Sequence, residues 1–157
     1  MDTNEVYQKP TVEEIRSLLS ERFDGKVNVT RTEERRVYAT VTKGFVFEVC
    51  KYIHDNLTFE HITSIMGNDM VDRMEVIYHI SNYFNGVIIE LTAELPLDDL
   101  HVASTESIWV GGSWHERETY ELFGIIFDGH SKLERLLTPD TYEFYPFRKS
   151  YKLRGQE

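Results

Sequence analysis

Apolar residues near the start of the chain recur at helical spacing. Val12, Ile15, Leu18, Leu19 and Phe23 fall on one side of a helical projection. Thr11 is followed three residues later by Glu14, the capping-box pattern in which a hydroxyl and a carboxylate each take a backbone N–H. A helix over 11–23 is predicted, closed by Asp24-Gly25. The period then drops to two. Val27 and Val29 share a face, as do Val37, Ala39 and Val41, and the polar segment Thr32–Arg35 joins the two runs as a hairpin. Phe45, Val46, Val49, Tyr52 and Ile53 return to helical spacing over about 45–55. Three further strands are predicted. One covers Phe59–Met66; one has Met74, Val76, Tyr78 and Ile80 on one face; one has Val87, Ile89, Leu91 and Ala93, with turn signals at Asn68-Asp69 and Asn85-Gly86. The order α-β-β-α-β-β-β predicts an α+β fold: a mostly antiparallel sheet of four or five strands with helices packed on one face.

Beyond this block the pattern loosens. Pro96-Leu97-Asp98-Asp99 interrupts it, a short helix is predicted near Ser104-Thr105, and Gly111-Gly112 breaks that. Ser113-Trp114-His115-Glu116 repeats the capping-box pattern and predicts a helix start, with Gly124 as its left-handed terminator. After Phe127 the chain has Asp128-Gly129, Pro139 and Pro146 and no repeating apolar face. The predicted division is an α+β domain over 1–127 and an extended tail over 128–157 that a partner orders.

Charge narrows the class of function. The 157 residues carry a formal net charge of −10, which argues against a nucleic-acid binder or a binder of anionic membranes. The sign is uneven: residues 43–112 hold three bases against eleven acids, whereas 147–157 hold four bases (Arg148, Lys149, Lys152, Arg154) and one acid. The apolar runs are too short for a membrane-spanning helix, and MDTNEVYQKP has no apolar core of the signal-peptide kind. The single cysteine, Cys50, excludes an internal disulfide and a four-thiolate cluster, and its place beside an apolar stripe predicts a small core residue.

Candidate chemistry is sparse. The six histidines show no metal-ligand spacing, and there is neither a phosphate-binding loop nor a serine nucleophile elbow. The densest group of charges is His115-Glu116-Arg117-Glu118 with Glu121. Glu116 and Glu118 stand about 200° apart on a helix and cannot meet at one substrate atom. Glu121 follows Arg117 by four residues, a spacing that predicts an intrahelical ion pair. The tail crowds Tyr142, Phe144, Tyr145, Phe147 and Tyr151 beside its bases, and Trp109 and Trp114 flank the glycine pair; this is the composition of an interface core.

The run Glu116-Arg117-Glu118-Thr119-Tyr120-Glu121-Leu122-Phe123-Gly124-Ile125-Ile126-Phe127-Asp128-Gly129-His130 resembles the signature of the C subunit of the proton-pumping NADH–quinone oxidoreductases, respiratory complex I. The resemblance continues through Leu133-Glu134-Arg135-Leu136-Leu137-Thr138-Pro139 to Pro146-Phe147-Arg148-Lys149-Ser150-Tyr151, about 35 residues in all. Departures from the pattern at Ser131, Glu134, Ser150 and the stretch Tyr142–Tyr145 leave the subtype open among complex I, archaeal deazaflavin-coenzyme dehydrogenases and membrane-bound hydrogenases. The resemblance implies a subunit with no catalytic residue, cofactor or metal of its own. It implies a place in the peripheral arm, on the cytoplasmic side of the membrane, against the large D subunit and the iron–sulfur subunits, with the clusters in those neighbours. It also implies motif and interface roles for Glu116, Arg117, Glu118, Glu121, Phe123, Gly124, Gly129, His130, Arg135, Pro139, Pro146, Arg148, Lys149 and Tyr151. The other classes left open are a stand-alone adaptor and a small enzyme.

Overall fold

A computed structural model of the chain describes residues 10–153 and 155; residues 1–9, Arg154, Gln156 and Glu157 lie outside the described part. Helix α1 (Val12–Arg22) opens on the expected capping box: the Glu14 N–H donates to Thr11 Oγ1 at 3.2 Å and the Thr11 N–H to Glu14 Oε2 at 2.7 Å. Strands β1 (Val27–Glu33) and β2 (Arg36–Val41) form the hairpin, with a bulge between Val29 and Arg31. A 3-10 turn, Lys43–Phe45, leads into α2 (Val46–Leu57). Then come β3 (His61–Asp69), β4 (Arg73–Ser81) and β5 (Ile88–Pro96), each a little longer than the alternation alone indicates.

The five strands lie in the order β1-β2-β5-β4-β3, antiparallel except for the β2–β5 pair. That pair is parallel because the chain crosses over through α2 and the β3–β4 hairpin before β5 returns beside β2. The period-two pattern selects the faces. On β4, Met74, Val76, Tyr78 and Ile80 are buried, while Arg73, Glu75, Ile77, His79 and Ser81 are half-buried on the opposite face. Ile15 and Leu19 of α1 and Val49, Cys50 and Ile53 of α2 enter the same core as the buried strand residues, so the helices cover one face. Cys50 is a fully buried core residue, and burial pushes its thiol far above the ordinary range.

The second half of the chain adds a small unit to this sheet. Strand β6 (His101–Ala103), helix α3 (Gly112–Phe123) and strand β7 (Ile126–Asp128) make a parallel β-α-β crossover. The short helix expected at Ser104-Thr105 is a single turn, in which the N–H groups of Ile108 and Trp109 both bond to the Thr105 carbonyl. Helix α3 lies on β3, the edge of the large sheet, where the Thr119 hydroxyl donates to the Ile65 carbonyl at 3.0 Å. A glycine permits this approach. A Cβ on Gly67 would stand less than 3 Å from the Phe123 ring.

Candidate functional site: the third helix and the segment that wraps it

Helix α3 starts earlier than its capping-box pattern indicates. Gly111 is the N-cap residue, without a side-chain cap, and Gly112 packs its backbone against Ile65. Ser113 therefore sits inside the first turn, and its hydroxyl faces His130 Nε2 at 3.1 Å. The expected Ser113–Glu116 capping box is not formed. The helix begins before the serine, with Gly112 fitted closely against Ile65, and Glu116 is drawn inward to Ser104 and Thr105. Ser113→Ala should then cost about 1 kcal/mol through the lost hydroxyl contact rather than through a cap. Chemical denaturation gives that cost, and the imidazole resonances of His130 should shift with it.

Glu116 is fully buried. It accepts hydrogen bonds from the Ser104 hydroxyl (2.5 Å), the Thr105 N–H (2.7 Å) and the Thr105 hydroxyl (2.9 Å). Burial lifts its carboxyl above the ordinary range, although the three donors and nearby His130 pull it down. His130 Nε2 lies 4.0 Å from Glu116 and 3.1 Å from the Ser113 carbonyl, while His130 Nδ1 accepts the Lys132 N–H at 3.0 Å. These partners assign the proton to Nε2. Gly129, before it, has φ +86, which turns the chain out of β7.

Arg117 and Glu121 do not form the expected ion pair. Arg117 Nε donates to the Glu134 carbonyl at 3.0 Å and Nη2 to the Arg135 carbonyl at 3.4 Å. The fully buried Glu121 carboxylate collects the N–H groups of Leu136, Leu137 and Thr138 and the Thr138 hydroxyl at 2.9–3.2 Å. Burial works against its charge, but these donors prevail and hold the carboxyl below the ordinary range. The reason the ion pair loses is one of magnitude. An exposed i,i+4 pair is worth about 0.2–0.5 kcal/mol, whereas a hydrogen bond to a charged group is worth about 1.5–3 kcal/mol.

The tail, expected to be ordered by a partner, folds back across the end of α3 in its own chain. A helix leaves its last four carbonyls without intrahelical partners. Here the Tyr120 carbonyl takes the Gly124 N–H, that of Glu121 takes Arg135 Nη1, that of Leu122 takes the Phe147 N–H, and that of Phe123 takes Arg148 Nε at 2.6 Å. Two guanidinium groups thus stand at the negative end of the helix dipole. Arg135 also reaches the Phe144 carbonyl, and Arg148 lies over the Tyr145 ring at 4.5 Å. The Lys149 N–H donates to Asp69 Oδ2 at 2.7 Å, and Tyr142 and Tyr151 share a hydroxyl contact at 2.8 Å. Pro139 is exposed and its carbonyl closes a turn with the Tyr142 N–H; Pro146 is half-buried at the last bend.

Gly124 is the crowded point of this closure. It has φ +77, and a Cβ there would stand 2.9 Å from the Tyr145 ring and closer still to the Arg148 guanidinium. Gly124→Ala should lower stability by about 2 kcal/mol, from the left-handed backbone and from displacement of the tail. A denaturation midpoint within error of the parent would refute the close approach.

Of the motif residues, Glu118 stands apart. It is exposed and has no hydrogen bond or ion pair among the described residues, whereas Glu116, Arg117 and Glu121 all serve the fold. No group of three or more His, Cys, Asp or Glu side chains among the described residues is arranged to hold a metal ion. Sequence reasoning missed Ser104, Thr105 and Asp69, which complete the clamps from 11 to 80 positions away. Nothing in local spacing marks partners at such separations.

Comparison with known proteins agrees with the motif. The family described as the 30 kDa subunit of the respiratory-chain NADH dehydrogenase matches residues 39–157. The chain is 40% identical over 119 residues to the C subunit of the F(420)H(2) dehydrogenase of Methanosarcina mazei, covering 74% of this chain and 75% of that one. It is 32% identical over 142 residues to the C subunit of the NADH-quinone oxidoreductase of Citrifermentans bemidjiense, covering 88% of each. Against longer relatives, such as the corresponding NADH-quinone oxidoreductase chain of Salinispora tropica, it spans about half the length, 47%. In fold it is similar to a chain of the membrane-bound sulfane sulfur reductase, an archaeal respiratory membrane complex. The TM-score is 0.80 at 23% identity, over 90% of this chain and 86% of that one. The clamped helix, the motif that builds it and these likenesses lead to one assignment: the chain belongs to the family of the 30 kDa subunit of respiratory-chain NADH dehydrogenase.

Proposed function

We propose that the chain is a non-redox subunit of a membrane-bound complex I-like oxidoreductase, supporting the large D subunit of the peripheral arm beside the iron–sulfur subunits. The observation that carries this reading is the use to which the motif is put. Glu116, Arg117 and Glu121 are bound to backbone and hydroxyl groups of their own chain, so the most distinctive residues hold a shape and present no reactive group. What they hold outward is apolar: Leu137, Phe144, Phe147 and Leu153 are each at least 60% exposed on the wrapped segment. The electron-carrying clusters belong in this reading to the neighbouring subunits. The chain sits peripherally, on the cytoplasmic side of the membrane; no helix among the described residues is long and apolar enough to cross one.

A deazaflavin-coenzyme dehydrogenase complex is the second reading, supported by the 40% identity to the Methanosarcina mazei protein. The test of the subunit reading is co-purification of the tagged chain with a large subunit and iron–sulfur subunits from native membranes, with a colourless spectrum for the isolated chain. Isolation without partners would favour a free adaptor, and a bound chromophore would overturn the non-redox role. Deleting 140–157 removes the caps on Leu122 and Phe123 as well as the exposed rings. It should therefore lower the unfolding temperature by several degrees and abolish incorporation into the complex. Normal assembly of the truncated chain would refute the wrapping role.

A further inference from the structure

Helix α3 does not close completely on the sheet edge. Between α3 and β3 runs a groove of about 420 Å³, lined by Met66, His115, Glu118, Leu122 and Phe147. At its base the Phe123 ring packs over Gly67, where the strand carries no side chain. Its walls are apolar and open to solvent: Met66 is 39% exposed and Phe147 60%. At the edge stands Glu118, a carboxylate without a partner among the described residues, on a helix whose other motif charges are all engaged within the chain.

We propose that this groove docks a segment of a neighbouring subunit that inserts an apolar side chain between Met66 and Phe147 and sets an arginine or lysine against Glu118. The proposal rests on the subunit reading above and adds the chemistry of the contact. Charge complementarity selects the occupant. The chain carries −10 overall, and the groove adds an unpaired carboxylate beside apolar walls. A segment that is apolar alone would leave Glu118 partly desolvated and unpaired, and an acidic one would be repelled; a basic group next to an apolar anchor meets both surfaces. Arginine fits best, because its planar fork bonds a carboxylate through two parallel N–H groups. Addition of a strand to the β3 edge is disfavoured here, since the Thr119 hydroxyl already occupies the Ile65 carbonyl and α3 overlies the strand.

The experiment uses the tagged full chain in its own membranes, with Glu118→Lys, Glu118→Gln and, as control, Glu48→Lys at an exposed acid on α2. Glu118 holds nothing among the described residues, so its two purified variants should unfold at the parent temperature; Glu48→Lys puts a base in the first turn of α2 and should unfold at or slightly below it. Recovery of the large and iron–sulfur subunits should fall about tenfold or more with Glu118→Lys, less with Glu118→Gln, and not at all with Glu48→Lys. A photo-crosslinking residue at position 66 should attach to a partner peptide that carries Arg or Lys within a few residues of an apolar anchor. Parent-level recovery with Glu118→Lys, an adduct without a nearby basic residue, or no adduct overturns the docking proposal and leaves the subunit reading intact. Failure of the unmodified chain to recover any of these subunits defeats the subunit reading instead.

Discussion

Glu116→Ala should destabilise the chain by about 3–5 kcal/mol, the largest loss expected of any single change in the motif. The alanine removes the common acceptor of the Ser104 hydroxyl, the Thr105 N–H and the Thr105 hydroxyl, and all of these residues are buried. It also leaves a cavity where the side chain was. Glu116→Gln should cost less, about 1–2 kcal/mol, because its carbonyl can still accept from Thr105 while its amide donates to the Ser104 oxygen. The pH dependence separates charge from shape. Burial raises the folded-state carboxyl of Glu116, so the ionised form is a penalty at neutral pH. That penalty is withdrawn as pH falls through the folded value towards the unfolded one. Urea titrations between pH 7 and pH 4.5 should show the parent gaining stability relative to Glu116→Gln. A constant gap would mean that the carboxyl is not raised.

Glu121→Ala should cost about 2–4 kcal/mol and act on a different part of the molecule. Its carboxylate gathers three successive N–H groups from 136–138, so the alanine variant should release that loop while the sheet remains folded. Hydrogen exchange is the direct measurement: the amides of Leu136, Leu137 and Thr138 should exchange about 100-fold faster. The sign of the pH effect is opposite to that at Glu116. A depressed carboxyl contributes stability that is complete above its unfolded value, near 4.3, and is lost as pH falls through the folded value. The parent should therefore lose protection at 136–138 on acidification below about pH 4, and Glu121→Gln should not share that acid step. Protection unchanged in the alanine variant would show that the loop is held by its neighbours.

The α+β fold was legible because its signals are local. Thr11 and Glu14 mark the start of α1 three residues apart, and the alternation in 74–80 assigns each side chain of β4 to a face. The parallel pairing of β2 with β5 was not legible, because alternation fixes a face and not a neighbour. The motif around α3 was recognisable as a pattern, yet its internal bonds were not. Arg117 and Glu121 have a ready explanation in each other at four residues, and that explanation fails against backbone groups brought in from 134–138. The tail has no period because it lies along a helix end, where carbonyls rather than an apolar stripe determine what fits. Arg135 and Arg148 are placed by those carbonyls.

The closure of α3 also has an order in time. Phe123 and the arginine that caps its carbonyl are 25 residues apart, which at ribosomal rates is about 1–5 s of synthesis. Until Arg148 and the Phe147 N–H arrive, the nascent helix ends in open carbonyls, and the groove beside it lacks the Phe147 wall. A chain stopped short of these residues carries every strand and the entire Glu-Arg-Glu run but leaves the groove beside α3 unfinished. A docking event that uses this face would then favour chains that carry Phe147 and Arg148 over chains that lack them.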